Sequence, residues 1–197
     1  MTTKANAILD KFPIPTEIAN LDANLQKIVS ELTFNHSVEN LKLLFSFLDL
    51  TSLNSTDKPS AIAGMTEKVN AFQTKFPGMP NVAAICVYPA LVPVVKQILT
   101  APNVGIAAVT GGFPASQTFI DVKVIETYTA LAKGASETDM VISIGKTLDG
   151  DLDSIYNDVE ALKQVSGPAH LKVILETGAL ETPELIWKAS ILAMDAG

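Results

Sequence analysis

Four stretches of the chain are almost continuously apolar: "NVAAICVY" (81–88), "NVGIAAVTG" (103–111), "TDMVISIG" (138–145) and "HLKVILETG" (170–178). A strand with one wet face alternates apolar and polar residues; a strand covered on both faces does not. Runs of this kind constrain the chain to a parallel sheet clothed by helices. A weaker run, "FLDLTSL" (47–53), precedes them. Helical patterns fill the gaps, over 59–76 and 89–99 for the first two. Val124, Ile125, Tyr128, Leu131 and Ala132 form the expected buried stripe of a third helix, stopped by Gly134. Leu152, Ile155, Val159 and Leu162 mark a fourth, stopped at Gly167. Thr182 and Pro183 open a fifth, with a capping hydroxyl and a proline in the first turn. Its stripe is Leu185, Ile186, Ala189, Leu192 and Ala193.

Strand and helix thus alternate five times over 44–197, behind a mostly helical extension, 1–43. Strict alternation means an α/β fold with right-handed crossovers. Two architectures satisfy it: a complete five-stranded doubly wound sheet, or the first five units of a (β/α)8 TIM-type barrel. A whole barrel takes about 250 residues, so three further units would need roughly 80 to 90 more. "LTSLNSTDK" after the first strand has no glycine, which weakens a nucleotide-binding doubly wound sheet.

The chain has 14 Lys+Arg against 21 Asp+Glu, a net charge of −7. No basic stripe exists to displace counterions from DNA or RNA, so no nucleic-acid partner is expected. No run approaches the length of apolar residues that spans a bilayer, and no membrane association is expected. A single cysteine, Cys86, forbids an internal disulfide and suits the reducing cytoplasm. With two histidines the chain can hardly assemble a metal centre, and none is expected.

In either architecture, chemistry gathers at the C-terminal ends of the strands. Asp139 opens the apolar run "MVISI", and a carboxylate there needs a cationic or hydrogen-bonding partner. It is either an acid at the strand entrance facing solvent or a proton-transfer group. Lys172 sits in "HLKVIL". Its stem either snorkels outward or carries the ammonium inward to meet an acid such as Asp139, alongside Ile174 and Glu176 on the same strand face. Cys86 reads as a small buried hydrophobe. The turn "TGGFP" (110–114) is either a plain connection or a loop that lets backbone amides approach a ligand oxygen. A phosphoacceptor domain would need clustered acids after the first strand, where there is only Asp49.

Five stretches resemble successive motifs of the deoxyribose-phosphate aldolase family: "FLDLTSLN" (47–54), "AAICVYPALVPVVKQIL" (83–99), "AVTGGFPASQT" (108–118), "GASETDMVISIG" (134–145) and "LKVILETGAL" (171–180). Order and spacing agree over about 44–197. The resemblance implies a (β/α)8 barrel and a class I, metal- and cofactor-independent lyase. Such an enzyme reversibly cleaves 2-deoxy-D-ribose 5-phosphate to acetaldehyde and D-glyceraldehyde 3-phosphate through a lysine imine. The expected partners are a small phosphorylated sugar and aldehydes, with a homo-oligomer as the assembly. Position by position, it implies that Asp139 relays protons and that Lys172 lines the site beside it. Cys86 would lie near the substrate without being the nucleophile, and Thr51 and Asn54 would face the substrate.

The resemblance also implies that the imine-forming lysine belongs to a sixth strand, a second essential lysine to a seventh, and the phosphate grip to the loops of the seventh and eighth. The chain is therefore expected to be a truncated barrel of five units, inactive alone. The alternative is a non-catalytic fragment that assembles or binds through open sheet edges.

Overall fold

A computed structural model describes residues 3–31 and 37–197. Its centre is one parallel sheet of β1 (Asp49–Thr51), β2 (Ala84–Val87), β3 (Gly105–Thr110), β4 (Glu137–Val141) and β5 (His170–Ile174). The strands lie side by side in chain order, every neighbouring pair parallel. A doubly wound sheet reverses direction at a switch point; this one does not. Its outer strands also meet. Four strand spacings would separate β1 from β5 by about 19 Å in a flat sheet, farther than a lysine and an aspartate can bridge. Yet Lys172 of β5 and Asp49 of β1 are 2.5 Å apart. The sheet is therefore curled into an arc with its inner face concave, as the first five units of a barrel require.

Helices cover the convex face: α5 (Pro59–Lys75), α6 (Val92–Ile98), α7 (Ile120–Ala132), α8 (Ile144–Leu148), α9 (Asp153–Ser166), α10 (Thr177–Leu180) and α11 (Pro183–Ala196). Before β1 come α1 (Lys4–Leu9), α2 (Thr16–Ala19), α3 (Leu21–Glu31) and α4 (Val38–Phe45). Local chemistry sets several boundaries. Thr182 accepts from the Leu185 amide and Pro183 starts α11. α9 stops at Gly167, whose φ is +53°. Gly111 follows β3 at φ +75°, and a Cβ there would stand 3.0 Å from the Val141 carbonyl oxygen, so close approach of β3 and β4 requires glycine.

The convex side holds two apolar clusters. One joins Ile85, Val87 and Ile106 to Ile62, Val92 and Val95. The other joins Met140 and Ile142 to Ile155, Val159, Leu162, Ala189 and Leu192. Ala5 and Ile8 of α1 belong to this second cluster. The Ala5 amide donates to Asp153 at 2.7 Å, and Lys4 lies 3.7 Å from the centre of the Tyr156 ring. The start of the chain is thus strapped across α9 and α11. Ile8→Ala removes a side chain that is only 5% exposed. The variant is expected to lose about 2–3 kcal/mol, the low end for a core Ile→Ala change because a short terminal helix can readjust. Urea unfolding measures it; a loss below about 0.5 kcal/mol would mean that α1 does not hold the core.

Several elements differ from their expected form. β1 is shorter than 47–53, with Phe47 and Leu48 exposed. β4 ends at Val141, and its expected tail enters α8. β5 ends at Ile174, and Glu176 adopts a left-handed conformation outside the strand, so it does not share a strand face with Lys172. In α7 the expected stripe is largely misplaced: Ile125 and Tyr128 are exposed, while Lys123, Thr127 and Ala130 are buried. The reason is Asp158 of α9, buried behind α7, which needs a cation. Lys123 supplies it at 2.7 Å, and that pair fixes the rotation of the helix. Ser143, just past β4, completes the cluster 2.7 Å from both partners.

Candidate active site

The concave face is built from alternate residues of each strand. Small or apolar side chains, Ala84, Cys86, Ala107 and Val109, form its floor. The strands that flank this floor, β1, β4 and β5, carry the charge. Asp49 and Thr51 share one face of β1, Glu137 and Asp139 one face of β4, and Lys172 is in register with Asp139. Gly105 of β3 leaves room for Glu137, whose Oε1 would otherwise meet a Cβ at 2.7 Å.

Lys172 is the hub. Its Nζ lies 2.5 Å from Asp49, 3.2 Å from Asp139 and 3.3 Å from Glu137. The ammonium therefore points inward and meets the acid, and the snorkelling alternative does not apply. Burial alone would lower its pKa, but the hydrogen bond to Asp49 and the charges of Asp139 and Asp49 outweigh that and push it well above the usual lysine range. Asp139 is half-buried beside it. Burial raises its pKa and the Lys172 charge offsets only part of the rise. Its Oδ1, 3.2 Å from the ammonium, has no well-formed hydrogen bond among the described residues. Its Oδ2 accepts from Cys86 Sγ at 3.7 Å. Burial and the Asp139 charge push the Cys86 thiol up to about 12, so Cys86 stays a neutral thiol and is a poor nucleophile.

Chemically, this is a carboxyl group whose protonated form is favoured by burial, next to a lysine held as a cation. Such a pair can hold and hand over a proton beside an apolar floor. The remaining expected residues stand apart. Thr51 shares the face of Asp49 and donates to the Asp49 carbonyl at 3.1 Å. Asn54 is exposed and bonded to Asp57 and Ser52; neither touches Lys172 or Asp139 in these contacts. The Gly112 amide of the "TGGFP" turn donates to Glu126 at 2.9 Å, so that amide serves the fold. Sequence reasoning missed two members, Asp49 as a partner of Lys172 and Glu137. The signal for Glu137 was its spacing of two from Asp139 on a strand. Nothing in the order of residues says that β1 curls round to β5.

Residues 43–197 match the model of the DeoC/LacD family aldolase. The deoxyribose-phosphate aldolase of Homo sapiens is 37% identical over 163 residues, covering 77% of this chain and 51% of the human protein. The Mus musculus protein of the same name is 36% identical, with 77% and 51% covered. The chain spans about half the length of the curated relatives it matches. Among solved structures, QR15, an aldolase, aligns with TM-score 0.68 and 26% identity over 78% of this chain and 64% of its own. A deoxyribose phosphate aldolase from Aeropyrum pernix shares the fold, with TM-score 0.62 and 21% identity over 92% of this chain and 68% of its own. A family match over this share of the residues, joined to a curled five-stranded arc of the same fold, leaves one assignment: the chain belongs to the DeoC/LacD aldolase family.

Proposed function

We propose that the chain is the portion of a Schiff-base deoxyribose-phosphate aldolase that supplies proton transfer rather than the nucleophile. The observation that carries this reading is the Asp139–Lys172 pair on the concave face. In the proposed cleavage of 2-deoxy-D-ribose 5-phosphate to acetaldehyde and D-glyceraldehyde 3-phosphate, Asp139 takes and returns protons, helped by the upward shift of its pKa. Lys172 stays charged and orients Asp139. Asp49 and Glu137 hold Lys172 in place. Cys86 lies beside Asp139 on the floor, and Thr51 and Asn54 are proposed to face the substrate. No lysine of β1–β5 other than Lys172 is on the concave face, and the raised pKa of Lys172 makes it a poor amine for imine formation. The family resemblance implies that the imine-forming lysine belongs to a sixth strand, outside β1–β5.

On this reading the 197-residue chain does not turn over alone. Acid–base help from Asp139 and Lys172 contributes about 10²–10⁴-fold, short of the roughly 10⁶-fold or more expected of an enzyme. Two assays check it: cleavage of 2-deoxy-D-ribose 5-phosphate, and trapping with acetaldehyde and borohydride followed by mass spectrometry. No turnover and no two-carbon adduct are expected. An adduct on Lys172 would make it the nucleophile instead of the orienting cation, and turnover that survives Lys172→Ala would identify another lysine of this chain as the nucleophile.

A second reading, assembly through open sheet edges, is favoured by the flank of β5. Leu171, Val173 and Leu175 are only half-buried and line, with Ala193 and Met194, a groove of about 510 Å³. The aldolase reading accommodates this groove as the seat of a sixth unit.

A further inference from the structure

We propose that Glu137 is a positioning residue. Seated over Gly105, it draws the Lys172 ammonium towards its own end of the concave face and so keeps one oxygen of Asp139 free.

One carboxylate is enough to neutralise a lysine, and here three converge. Among the described residues, Asp49 takes the one well-formed hydrogen bond from Lys172 Nζ. Glu137 Oε2 and Asp139 Oδ1 flank the same nitrogen at 3.3 and 3.2 Å. The ammonium is therefore shared almost evenly between two competing acids. They stand two residues apart on one face of β4, with Glu137 at its start and Asp139 at its middle, about 7 Å along the strand. A shift of the nitrogen towards one is a shift away from the other. A structural ion pair would stop at Asp49, because each further acid adds like-charge repulsion. What the third acid secures is the state of Asp139. Engaged squarely by the ammonium, Asp139 would be held as an anion with Oδ1 occupied. Held off, Oδ1 has no well-formed hydrogen bond and is open to exchange a proton.

Glu137 can pull in this direction because its own carboxyl is seated. The seat is a gap in β3. A Cβ at Gly105 would stand 2.7 Å from Glu137 Oε1, 3.3 Å from Ser136 Oγ and 3.4 Å from the Ala84 Cβ. Oε1 thus occupies the space of a missing methyl group, while Oε2 faces Lys172. Gly105 is not among the residues of positive φ, so glycine serves here for space and not for conformation. The other strands round the pair contribute Asp49 from β1, Cys86 from β2 and His170 from β5. His170 is exposed and in register with Glu137, and the two form no ion pair. β3 contributes no titratable group.

Gly105→Ala is the decisive variant, because it displaces the Glu137 carboxylate and leaves every charge in the chain. Carbon-13 NMR of the Asp139 carboxyl, assigned by its loss in Asp139→Asn, follows the proton affinity of Asp139 with pH. In the parent, burial lifts that affinity above an ordinary aspartate's. As the ammonium moves over to Asp139, the affinity is expected to fall about threefold or more in Gly105→Ala and about tenfold or more in Glu137→Gln. The double variant should fall no further than Glu137→Gln, because Gly105 acts only through Glu137. A smaller fall in Gly105→Ala would leave Glu137 acting as a bare charge, and a smaller fall in Glu137→Gln would leave it without hold on the ammonium; either overturns the proposal. Should Gly105→Ala not fold, by circular dichroism, Glu137→Asp takes its place, withdrawing the carboxylate by one methylene at the same charge. The use of the free oxygen rests on the aldolase reading above. The titration needs no turnover, so an ammonium that fails to move and a site that fails to cleave sugar are separate results.

Discussion

Lys123→Met is expected to cost about 3–5 kcal/mol of folding stability, the range for removing one partner of a buried ion pair. Lys123 is 1% exposed and heads the fully buried side chains by size. Its ammonium is 2.7 Å from both Asp158 and Ser143. Without it, the Asp158 carboxylate stays inside with, among the described residues, only the Ser143 hydroxyl as a side-chain donor, and burying such a charge is the dominant loss. For a chain of this size that is a fall of about 6–20 °C in Tm, at 2–4 °C per kcal/mol. Lys123→Met combined with Asp158→Leu should recover most of the loss, because an apolar pair often replaces a buried ion pair at little cost. Thermal and urea unfolding of the two variants are the measurement. A Lys123→Met variant within about 1 kcal/mol of the parent would mean that water reaches Asp158 and the cluster is not dry. The same variant should release the rotation of α7, and with it the outward placement of Ile125.

Lys172→Ala is the second large effect, and it carries a pH signature. Three carboxylates converge on this ammonium, so its removal leaves them facing one another. Lys172 keeps 41% of its side chain exposed. Solvent screening therefore trims the expected loss near neutral pH to about 2–3 kcal/mol. The sign with pH follows from Asp139. Its folded pKa is raised above the ordinary 3.8, so in the window just above 3.8 the folded state binds more protons than the unfolded one. Stability then rises as pH falls through the folded value. Losing the Lys172 charge raises Asp139 further and widens this window upward. The deficit of Lys172→Ala should therefore be largest at neutral pH and shrink as pH falls. In the parent chain the Lys172 contribution behaves oppositely at the alkaline end. It is fully present below the unfolded value of 10.5 and is lost only as pH rises through the raised folded value. A deficit independent of pH would mean that Lys172 acts through packing alone.

The sheet was legible because its strands are buried on both faces, and continuous apolar runs such as 81–88 announce that without tertiary information. The choice between an open sheet and an arc was not. It depends on whether β1 and β5 come together, and the Asp49–Lys172 contact that answers this joins residues far apart in sequence. The candidate site was half legible for the same reason. Asp139 and Lys172 stood out as charges inside apolar runs, which is a local signal. Asp49 lay in the weakest run, between Leu48 and Leu50 but closely followed by Thr51 and Ser52, and Glu137 lay before the apolar run began, so neither looked costly to bury. In α7 the local signal misled. A helical wheel ranks residues by hydrophobicity and would turn Ile125 inward, but it cannot register that a buried aspartate on α9 demands a lysine more strongly than the core demands an isoleucine.

The strap formed by α1 sets an order in time. Ala5 and Ile8 find their partners on α11, whose residues leave the ribosome roughly 180 positions later, a wait of about 10–40 s at ordinary synthesis rates. During that interval Ala5 and Ile8 lack their α11 partners, while the strands of the arc are made in order from β1 to β5. The start of the chain is thus among the last segments to dock, so the second apolar cluster closes only when synthesis of these residues is nearly done. A nascent chain halted before α11 should leave Ile8 open to proteases that cannot reach it afterwards.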